Sequence, residues 1–521
     1  MPLEKGTISM RSSSHSPDRI SVTFDDDHVV ANAGLIQPAT LADHLGLREL
    51  FDEYVHLGAG PGHANVGLKA MTLIYSALAG GDCIEDADRM RVAATAEVLG
   101  HGVRAPSTLG TFLRSFTWGH VAQLDRVLDE SIRRSWQAGA GPGQGPVTLD
   151  VDSTICETYG LQKQGARFGY TNVRGYHPLL ATVAGTEEVV GVRLRGGNAH
   201  TGRGVASFLT QVFNRVRRAG ASGPMVLRAD SGFCSSKVTE ACSKAGVSYS
   251  VTVKTSKALH KVIAAIKEED WTPIPYWIDD GADVAETTYR PFSQKHPEVR
   301  LIVRRVRPSP GSQLALFATY DYHAFITDRE GETVYLEADH RRHAVVEDVI
   351  RDLKYGVGVN HLPSGRFCAN AVWMTLNVIA HNLGRWVGRI GLGPEATSMT
   401  TKTLRTRMLN MPGRMTTSGG RRTLHLPRAW PWEDQFNTIL NRLRAILGRS
   451  FAYAPDLCAM TASRHLCPTP ADDGPPQPPS GPGLTRTLCR LSGSSHGRAR
   501  PARTTTLASP DVLIRLGSGA R

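Results

Sequence analysis

The chain has 521 residues, of which 41% are hydrophobic and 21% are charged. This length exceeds the roughly 250 to 300 residues at which single hydrophobic cores stop growing, so two or three domains are expected. Lys and Arg (60) outnumber Asp and Glu (48), giving a formal net charge of +12. That balance favours a polyanionic partner over an acidic small substrate.

Several protein classes are excluded by what the sequence lacks. No apolar run approaches the roughly 18 to 20 residues of a membrane span, so no membrane contact is expected. The first 20 residues contain no apolar core of a secretory signal. The eight cysteines form no CxxC pair, which indicates reduced thiols and neither a disulfide framework nor a zinc knuckle. The sequence therefore predicts a cytoplasmic protein.

The N-terminal quarter of the chain has a helical pattern. Residues 1–20 are Ser-rich and are expected to be disordered, and residues 21–137 are predicted to form a helical domain. One short helix in the segment 99–116 presents Thr108, Thr111 and Arg114 on its polar face. Such side chains hydrogen-bond to phosphates and base edges, which suggests a helix-turn-helix-like DNA reader. A helix of an all-α bundle that binds nothing is the alternative.

A Gly/Pro linker at 138–146 precedes a segment of alternating strand and helix patterns at 147–450. This order predicts a mixed α/β sheet flanked by helices and is compatible with an RNase H-like core. Within it, residues of about 256–335 form β-rich runs between turns, which predicts an antiparallel β insertion. Residues 454–521 are rich in Pro, Gly, Ser and Arg and are predicted to be a disordered tail.

Carboxylates end two predicted strands of the core. In VTLDVDST (147–154), Asp150 and Asp152 alternate with apolar residues and therefore project to the same face of a strand. A second apolar strand, MVLRA, ends in Asp230. Ligands of α/β folds bind at the carboxyl ends of such strands. We therefore expect a metal ion at this edge of the sheet, with either Asp150 or Asp152 as a ligand.

A third acid lies on a predicted helix after the β insertion. Glu347, Arg351 and Lys354 have i, i+4 and i+7 spacing and share one helix face. A salt-bridged solvated face has the same pattern. Beside two strand-end aspartates, however, Glu347 completes a set of hard oxygen ligands that suits Mg²⁺ or Mn²⁺.

Three segments together carry a resemblance to a known family. LDVDST, LRADSGF and HRRHAVVEDVIRDLKYG resemble the signature of DDE-type bacterial insertion-sequence transposases. The likeness is closer to the group with a β-strand insertion before the catalytic glutamate, in particular insertion-sequence family thirteen-eighty. It covers roughly residues 20–450 and includes the GYHPLLATVAG segment, the RGGN segment (195–198) and DCIEDADRMR (82–91).

The resemblance implies roles for the three acids. By position, Asp152, Asp230 and Glu347 match the catalytic acids of the family, which bind two divalent metal ions, and Asp150 becomes a neighbouring or paired core carboxylate. The implied reaction is cleavage of double-stranded DNA at terminal inverted repeats, followed by strand transfer into target DNA. A homodimer on paired ends is also implied, and enzymes of this group often pass through a DNA hairpin.

The family pattern around the glutamate places Tyr and Arg where this chain has His340 and His343. Lys354 keeps the expected spacing, and Arg341 offers a nearby cation, so Lys354, Arg341 and Arg351 are predicted to contact DNA.

Trp271 and Trp277 of the β insertion either stack on a flipped base or fill the small core of the insertion. The basic segments 300–307, 402–407 and 414–422 are expected to neutralise phosphates.

Three rival functions remain open on the sequence. A zinc hydrolase can be drawn from His340, His343 and Glu347, which converge on one helix, although the HExxH order is missing. A decayed transposase would bind DNA without cutting it. A structure-specific nuclease would share the metal site and differ only in its product.

Overall fold

The computed structural model describes residues 17–169, 171–276, 281–293, 296–307 and 320–446. These residues belong to one compact unit with bounds Met1–Ala452. The second unit, Tyr453–Arg521, lies outside the described residues, and so do the predicted disordered tail and most of the predicted disordered N-terminus. Pro17–Arg19, the first described residues, form a single 3-10 turn.

Helices dominate the first part of the chain. They are α1 (Ile36–His44), α2 (Leu47–Tyr54), α3 (Val66–Ala79), α4 (Thr95–Leu99), α5 (Pro106–Arg114) and α6 (Trp118–Gln137). The later helices are α7 (Val205–Ala219), α8 (Ser236–Ala245), α9 (Lys257–Ile263), α10 (Thr333–Arg341), α11 (Val345–Gly356), α12 (Phe367–Leu392), α13 (Thr401–Leu404) and α14 (Glu433–Arg444).

The strands of the described residues form three sheets. They are β1 (Val29–Val30), β2 (Val147–Ser153), β3 (Cys156–Glu157), β4 (Arg167–Phe168), β5 (Arg174–Tyr176), β6 (Leu179–Val183), β7 (Val189–Arg193), β8 (Met225–Ala229), β9 (Ser248–Thr252), β10 (Thr272–Pro273), β11 (Ala282–Tyr289), β12 (Val299–Val306), β13 (Asp321–Thr327), β14 (Gly413–Ser418) and β15 (Arg421–His425).

The largest sheet has nine strands in the order β10-β11-β12-β13-β9-β8-β2-β6-β7. Strands β2, β8 and β9 are parallel, whereas β6 and β7 are antiparallel neighbours. This five-stranded part, with helices packed on it, confirms the predicted mixed α/β fold with an RNase H-like core. β2 lies between β8 and β6 in this sheet, and its residues Val147, Leu149 and Val151 are all buried.

The β insertion continues this same sheet. β13 pairs antiparallel with β9, and β12 and β11 follow outwards in antiparallel order, as predicted. The last strand of the insertion, β13, ends at Thr327, and helix α10 begins at Thr333. A 3-10 turn at Arg342–Ala344 joins α10 to α11, which carries Glu347.

Helix α12 connects the N-terminal helices with the sheet. It is apolar on nearly all sides and almost entirely buried, and it contacts α1, α3, α5, α6, α14 and β7. The buried carboxylate of Glu188 accepts hydrogen bonds from the indole of Trp136 on α6 at 2.7 Å and from that of Trp386 on α12 at 2.9 Å. This shared acceptor fixes α6 and α12 to the turn between β6 and β7. Among the described helices, none is long and apolar enough to cross a membrane.

Candidate active site

The register between β2 and β8 decides which residues lie beside the two aspartates of β2. Asp150 is opposite Arg228 in this parallel ladder, and Val151 opposite Ala229 is the last pair. Side chains of one face recur every two residues, so the next positions on the Asp150 face are Asp152 and Asp230. The ladder therefore places one acid–base pair inside the sheet and one acid–acid pair at its carboxyl edge.

Asp150 is a paired core carboxylate. It is 2% exposed, and the guanidinium of Arg228 donates to both of its oxygens, at 2.8 and 2.7 Å. His343 Nδ1 lies 2.8 Å from Asp150 Oδ1. Although burial opposes ionisation, these hydrogen bonds from His343 and Arg228 hold the pKa of Asp150 below its usual range. Since both oxygens are engaged, the geometry favours Asp152 over Asp150 as the available ligand.

The ion pairs around Arg228 extend through the sheet to α10. Arg228 Nη1 donates to the main-chain oxygen of Asp339 at 2.6 Å, and the Asp339 carboxylate pairs with Arg329 at 2.5 Å. Sequence reasoning missed this network. The signal was present in LRADSGF, where Arg228 precedes Asp230 by two residues and therefore shares its face.

Asp152 ionises less readily than an ordinary aspartate. Burial raises its pKa to about 6, and the nearby charges of Asp230 and Glu347 contribute to the rise, against the Ser153 N–H and His343, which lower it. Burial likewise raises the pKa of Asp230, against the Gly232 N–H and His343. Asp152 thus lies close enough to both Asp230 and Glu347 for their charges to repel it, and its negative charge is incompletely compensated.

The acids have different local supports. Asp152 Oδ1 accepts the Ser153 N–H at 2.6 Å, and Asp230 Oδ1 accepts the Gly232 N–H at 3.0 Å at the start of the 3-10 turn Ser231–Phe233. Glu347 is exposed in the first turn of α11. Asp230 is also exposed and Asp152 is half-buried, so solvent and substrate can reach all three carboxylates.

The three acids form an open arrangement. Across the described ranges, the group of three possible ligands whose atoms all lie within 4.8 Å of one another is Asp82, Cys83 and Asp86. In that group Asp86 Oδ2 accepts main-chain N–H groups of Asp82 and Cys83, as in a local turn. Within the described part of the chain, Asp152, Asp230 and Glu347 do not form so close a group, although their oxygen chemistry and negative charge fit a divalent cation.

The two histidines have distinct positions. His340 is half-buried, its ring stacks on Phe325 with centroids 4.1 Å apart, and its two nitrogens lie 2.8 and 3.0 Å from the hydroxyls of Ser250 and Thr252. Burial lowers the pKa of His340 to about 3. Because both ring nitrogens are engaged, the zinc arrangement drawn from His340, His343 and Glu347 has no support in this geometry.

The GYHP and RGGN segments form a clamp beside Asp230. The guanidinium of Arg195 donates to the main-chain oxygens of His177, His200, Thr201 and Arg203. His177 Nε2 lies 2.9 Å from the hydroxyl of Ser153, which follows Asp152. The hydrogen bonds of Arg195 and His177 therefore hold the loops beside the ends of the strands that carry the acids.

The predicted DNA-contact residues near the acids lie on α10 and α11. Lys354 Nζ donates to the carbonyl of Ile155 at 2.9 Å, at the edge of a cleft. Arg351 is exposed and pairs with Asp348. Arg341 pairs with Glu337 at 3.3 Å, and its guanidinium lies 5.9 Å from the ring centroid of Tyr276.

The remaining predicted contacts lie on α5, which packs on α3 and α12. Arg114 is exposed and Thr108 is half-buried. The hydroxyl of Thr111 donates to the main-chain oxygen of Ser107 at 2.9 Å. The structure therefore places this group and the group on α10 and α11 on separate elements.

Three arginines of the insertion form ion pairs with acids of the insertion, its flanking segment or helix α10. Arg305 pairs with Asp283 and Glu268, and its guanidinium lies 4.4 Å from the ring of Trp271. Arg300 binds Glu286 and Arg304 binds Glu337. The contacts of Trp271 fit the role of filling the insertion core, whereas Trp277 lies outside the described residues.

Comparison with known protein families identifies the class of this chain. The model of the family described as transposase DDE domain, group 1, matches residues 12–447. The chain therefore belongs to this family of DDE transposases, and the predicted class is confirmed. Comparison with curated proteins gives no match.

Among solved structures, the chain is similar to the piggyBac transposase in a cryo-EM structure of its synaptic complex with hairpin DNA. The TM-score is 0.39 and the sequence identity is 11%, over 79% of this chain and 86% of that chain.

Proposed function

We propose that this transposase cleaves DNA at the terminal inverted repeats of an insertion sequence and transfers the strands to target DNA. Asp152, Asp230 and Glu347 are the proposed catalytic acids and the proposed ligands of two Mg²⁺ or Mn²⁺ ions. The observation that carries the proposal is an accessible carboxylate, Asp152, that is repelled by both Asp230 and Glu347 at the carboxyl edge of an RNase H-like sheet.

The protein's own residues would hold the reacting groups in place. Asp152 and Asp230 are fixed by neighbouring strands and main-chain N–H groups, whereas Glu347 approaches from α11. When bound between them, divalent ions supply charge neutralisation at phosphorus and an activated oxygen nucleophile. Lys354 is seven residues after Glu347 on the same helix and offers its ammonium group to a flanking phosphate.

His343 contacts the buried Asp150 and acts electrostatically on Asp152 and Asp230. Its Nδ1 is held by Asp150, and its charge lowers the pKa of both Asp152 and Asp230. It therefore provides a cationic or donor group at the position where the family pattern has Arg. This placement favours an active enzyme over a decayed DNA-binding remnant, because the histidine at the position of the family's Arg favours the ionised forms of Asp152 and Asp230.

We further propose that the protein acts in the cytoplasm, associated with the nucleoid when bound to DNA, and as a homodimer on paired ends. The net charge of +12 supports a DNA partner. Two active sites are needed to process two element ends together, which supports the dimer.

The test uses a supercoiled plasmid that carries both element ends, incubated with Mg²⁺. Wild type is compared with Asp152→Asn, Asp230→Asn and Glu347→Gln, and with Asp348→Asn as a control because Asp348 is an exposed acid of the same helix. We expect the first three variants to bind DNA but to cleave it at least about 10³-fold more slowly, and the control to cleave normally.

Excision joined to insertion elsewhere would distinguish a transposase from a structure-specific nuclease. Binding without cleavage by wild type would overturn the catalytic proposal and leave a DNA-binding remnant. Normal cleavage by any of the three acid variants would remove that residue from the proposed site.

A further inference from the structure

A cleft of about 440 Å³ opens beside the candidate active site. One wall is the segment that follows β3, with Thr158 and Tyr159, and another is the end of α11, with Lys354 and Tyr355. Lys354 lies seven residues after Glu347, which corresponds to about 10 Å along the helix. The cleft is therefore close to the acids but separate from them, and its volume lies in the range of ligand pockets.

A buried hydroxyl in this cleft has no partner. Thr158 is 6% exposed, and its Oγ1 makes no hydrogen bond within the described part of the chain. A buried polar group without a partner costs about 1–3 kcal/mol, so such groups are usually satisfied by a ligand or an ordered water. The Thr158 hydroxyl is thus a hydrogen-bonding group suited to a molecule that enters the cleft.

Two lysines give the cleft its anion-binding character. Lys354 Nζ donates to the carbonyl of Ile155, and Lys163 Nζ donates to the carbonyl of Leu362. An ammonium group has three donors, so each lysine retains donors for a second acceptor while its position is fixed. Two fixed ammonium groups and one hydroxyl are the donor set expected for a phosphate group.

Two tyrosines at the cleft are largely exposed to solvent. Tyr159 is 81% exposed and Tyr355 is 72% exposed. Exposed aromatic rings next to phosphate-binding lysines are typical of surfaces that stack the bases of single-stranded nucleic acid. Asn360 also lines the cleft, and its amide offers both a donor and an acceptor to the edge of a base.

The acidic residues of the cleft limit what can bind there. Asp82 and Glu157 contribute carboxylates to its lining. Carboxylates accept hydrogen bonds from the amino groups of bases but repel a second phosphate nearby. The cleft therefore suits one nucleotide, with its base exposed for stacking, and does not suit a run of closely spaced phosphates.

We propose that the cleft binds one unpaired nucleotide of the DNA strand beside the scissile phosphate. Its phosphate is held by Lys163, Lys354 and Thr158, and its base stacks on Tyr159 and Tyr355. This subsite rests on the proposed function, since it requires a DNA substrate at the three acids. Because bases inside a duplex are already stacked, the DNA must be unpaired at this position for the site to be filled.

The test measures binding of the full chain to two DNA probes of the element end. One is a blunt duplex of 20 base pairs, and the other adds a three-nucleotide overhang on the cleaved strand, with 2-aminopurine as one overhang base. All proteins carry Glu347→Gln to prevent cleavage. Tyr159→Ala, Tyr355→Ala and Thr158→Val are compared with Tyr335→Ala, which removes an exposed tyrosine of α10 outside the cleft.

We expect the parent protein to prefer the overhang probe and to quench its 2-aminopurine fluorescence. Each cleft tyrosine variant should lose about 5- to 100-fold of affinity for the overhang probe, as expected for loss of one stacking partner, with blunt-duplex affinity unchanged. Thr158→Val, which is nearly isosteric, should lose about 5- to 10-fold. Tyr335→Ala should behave like the parent.

Equal binding of both probes by the parent, or tyrosine variants indistinguishable from Tyr335→Ala, would overturn the proposed subsite. Failure of the proposed function is distinguishable, because it appears as absence of plasmid cleavage by wild type. A protein that cleaves the plasmid but has no overhang preference retains its proposed function and loses this subsite. One with tyrosine-dependent overhang preference but no cleavage retains the subsite.

Discussion

Asp150 and Asp152 lie two residues apart on the same face of β2, yet their surroundings shift their ionisation in opposite directions. Asp150 faces Arg228 across the ladder and contacts His343, so its pKa is lowered despite burial. Asp152 faces the end of the same neighbouring strand, where the adjacent residue is Asp230, and its pKa is raised to about 6. One register step therefore separates a structural ion pair from a cluster of repelling acids.

This difference shows how the fold divides charge between stability and function. The ion pairs around Arg228 are closed, buried and fully hydrogen-bonded within the protein. The acids at the sheet edge are accessible, and a cation supplied from outside would relieve their repulsion. Functional sites commonly retain such unfavourable arrangements at a cost to the free energy of folding.

Removing the buried acid should have the largest effect on stability. Asp150→Ala leaves the guanidinium of Arg228 buried without its main partner, and breaking a buried pair in this way costs about 3–5 kcal/mol. Denaturant unfolding should show that loss, with Asp348→Ala within about 0.5 kcal/mol of wild type as the control on exposed acid removal. A loss below about 1 kcal/mol for Asp150→Ala would contradict the structural role of this pair.

Removing His343 should connect the two regions. Its loss raises the pKa of Asp152 and Asp230 further, because the group that favours their ionised forms is gone. We expect His343→Ala to cleave DNA about 10- to 100-fold more slowly at pH 6.5 and to recover part of this loss at pH 8.5. His343→Arg should retain more activity. A deficit for His343→Ala that is the same at both pH values would exclude this electrostatic role.

Acidification should destabilise the protein through His340, which is neutral in the folded state. Its folded-state pKa of about 3 lies below its unfolded value of about 6.5, so the stability it contributes is present above pH 6.5 and is lost as pH falls towards 3. The loss should approach about 1.4 kcal/mol per pH unit within that window. Unfolding of wild type and His340→Gln from pH 7.5 to 5 isolates this contribution, since Asp152 contributes equally to both. Parallel pH curves would refute a neutral His340.

Neutralising Asp152 should stabilise the metal-free protein. Its raised folded-state pKa means that the folded state favours the protonated form, so stability is highest below about pH 4 and is lost as pH rises through about 6. At pH 8, Asp152→Asn removes the cost of ionising this group in the folded state. We therefore expect the free energy of unfolding to rise by about 1–2 kcal/mol in the presence of a chelator. Thermal unfolding with EDTA measures the gain. A less stable variant would mean that Asp152 has a structural partner like that of Asp150.

The exposed ion pair of α11 should have the smallest effect. Arg351 is 70% exposed and Asp348 is 61% exposed, and such pairs contribute at most a few tenths of a kcal/mol. The free energy of unfolding of Arg351→Ala should lie within about 0.5 kcal/mol of the wild-type value. If Arg351 binds the DNA backbone, the slope of log affinity against log salt concentration should become shallower by about 0.9, the value for one phosphate contact. Filter-binding titrations at several salt concentrations measure that slope. An unchanged slope would remove Arg351 from the predicted DNA contacts.

The sequence predicted the elements that have regular apolar spacing. The alternation in VTLDVDST predicted strand β2, whose bounds are Val147–Ser153. Helix α10 was missed because Thr333–Arg341 is rich in polar and charged residues and has no clear apolar stripe. Its place is fixed by tertiary contacts, such as that between Asp339 and Arg228, which no local pattern contains.

The sequence pointed to the acids, but not to the contacts that separate their roles. Periodicity placed Asp150 and Asp152 on one face, and only the family resemblance favoured Asp152 over Asp150 as the ligand. The distinction depends on strand register, which sets Arg228 opposite one aspartate and leaves Asp230 beside the other. The roles of His340 and His343 were hidden for the same reason, because their partners are about 90 to 190 residues away in the chain.

The central claim is that Asp152 belongs to an open site for divalent cations, whereas Asp150 belongs to the structure. The most direct measurement is the thermal stability of wild type and Asp152→Asn at pH 8, with EDTA and with increasing Mn²⁺. We predict that Asp152→Asn is the more stable protein in EDTA and that Mn²⁺ raises the melting temperature of wild type alone. An equal Mn²⁺-dependent shift in both proteins would contradict the claim.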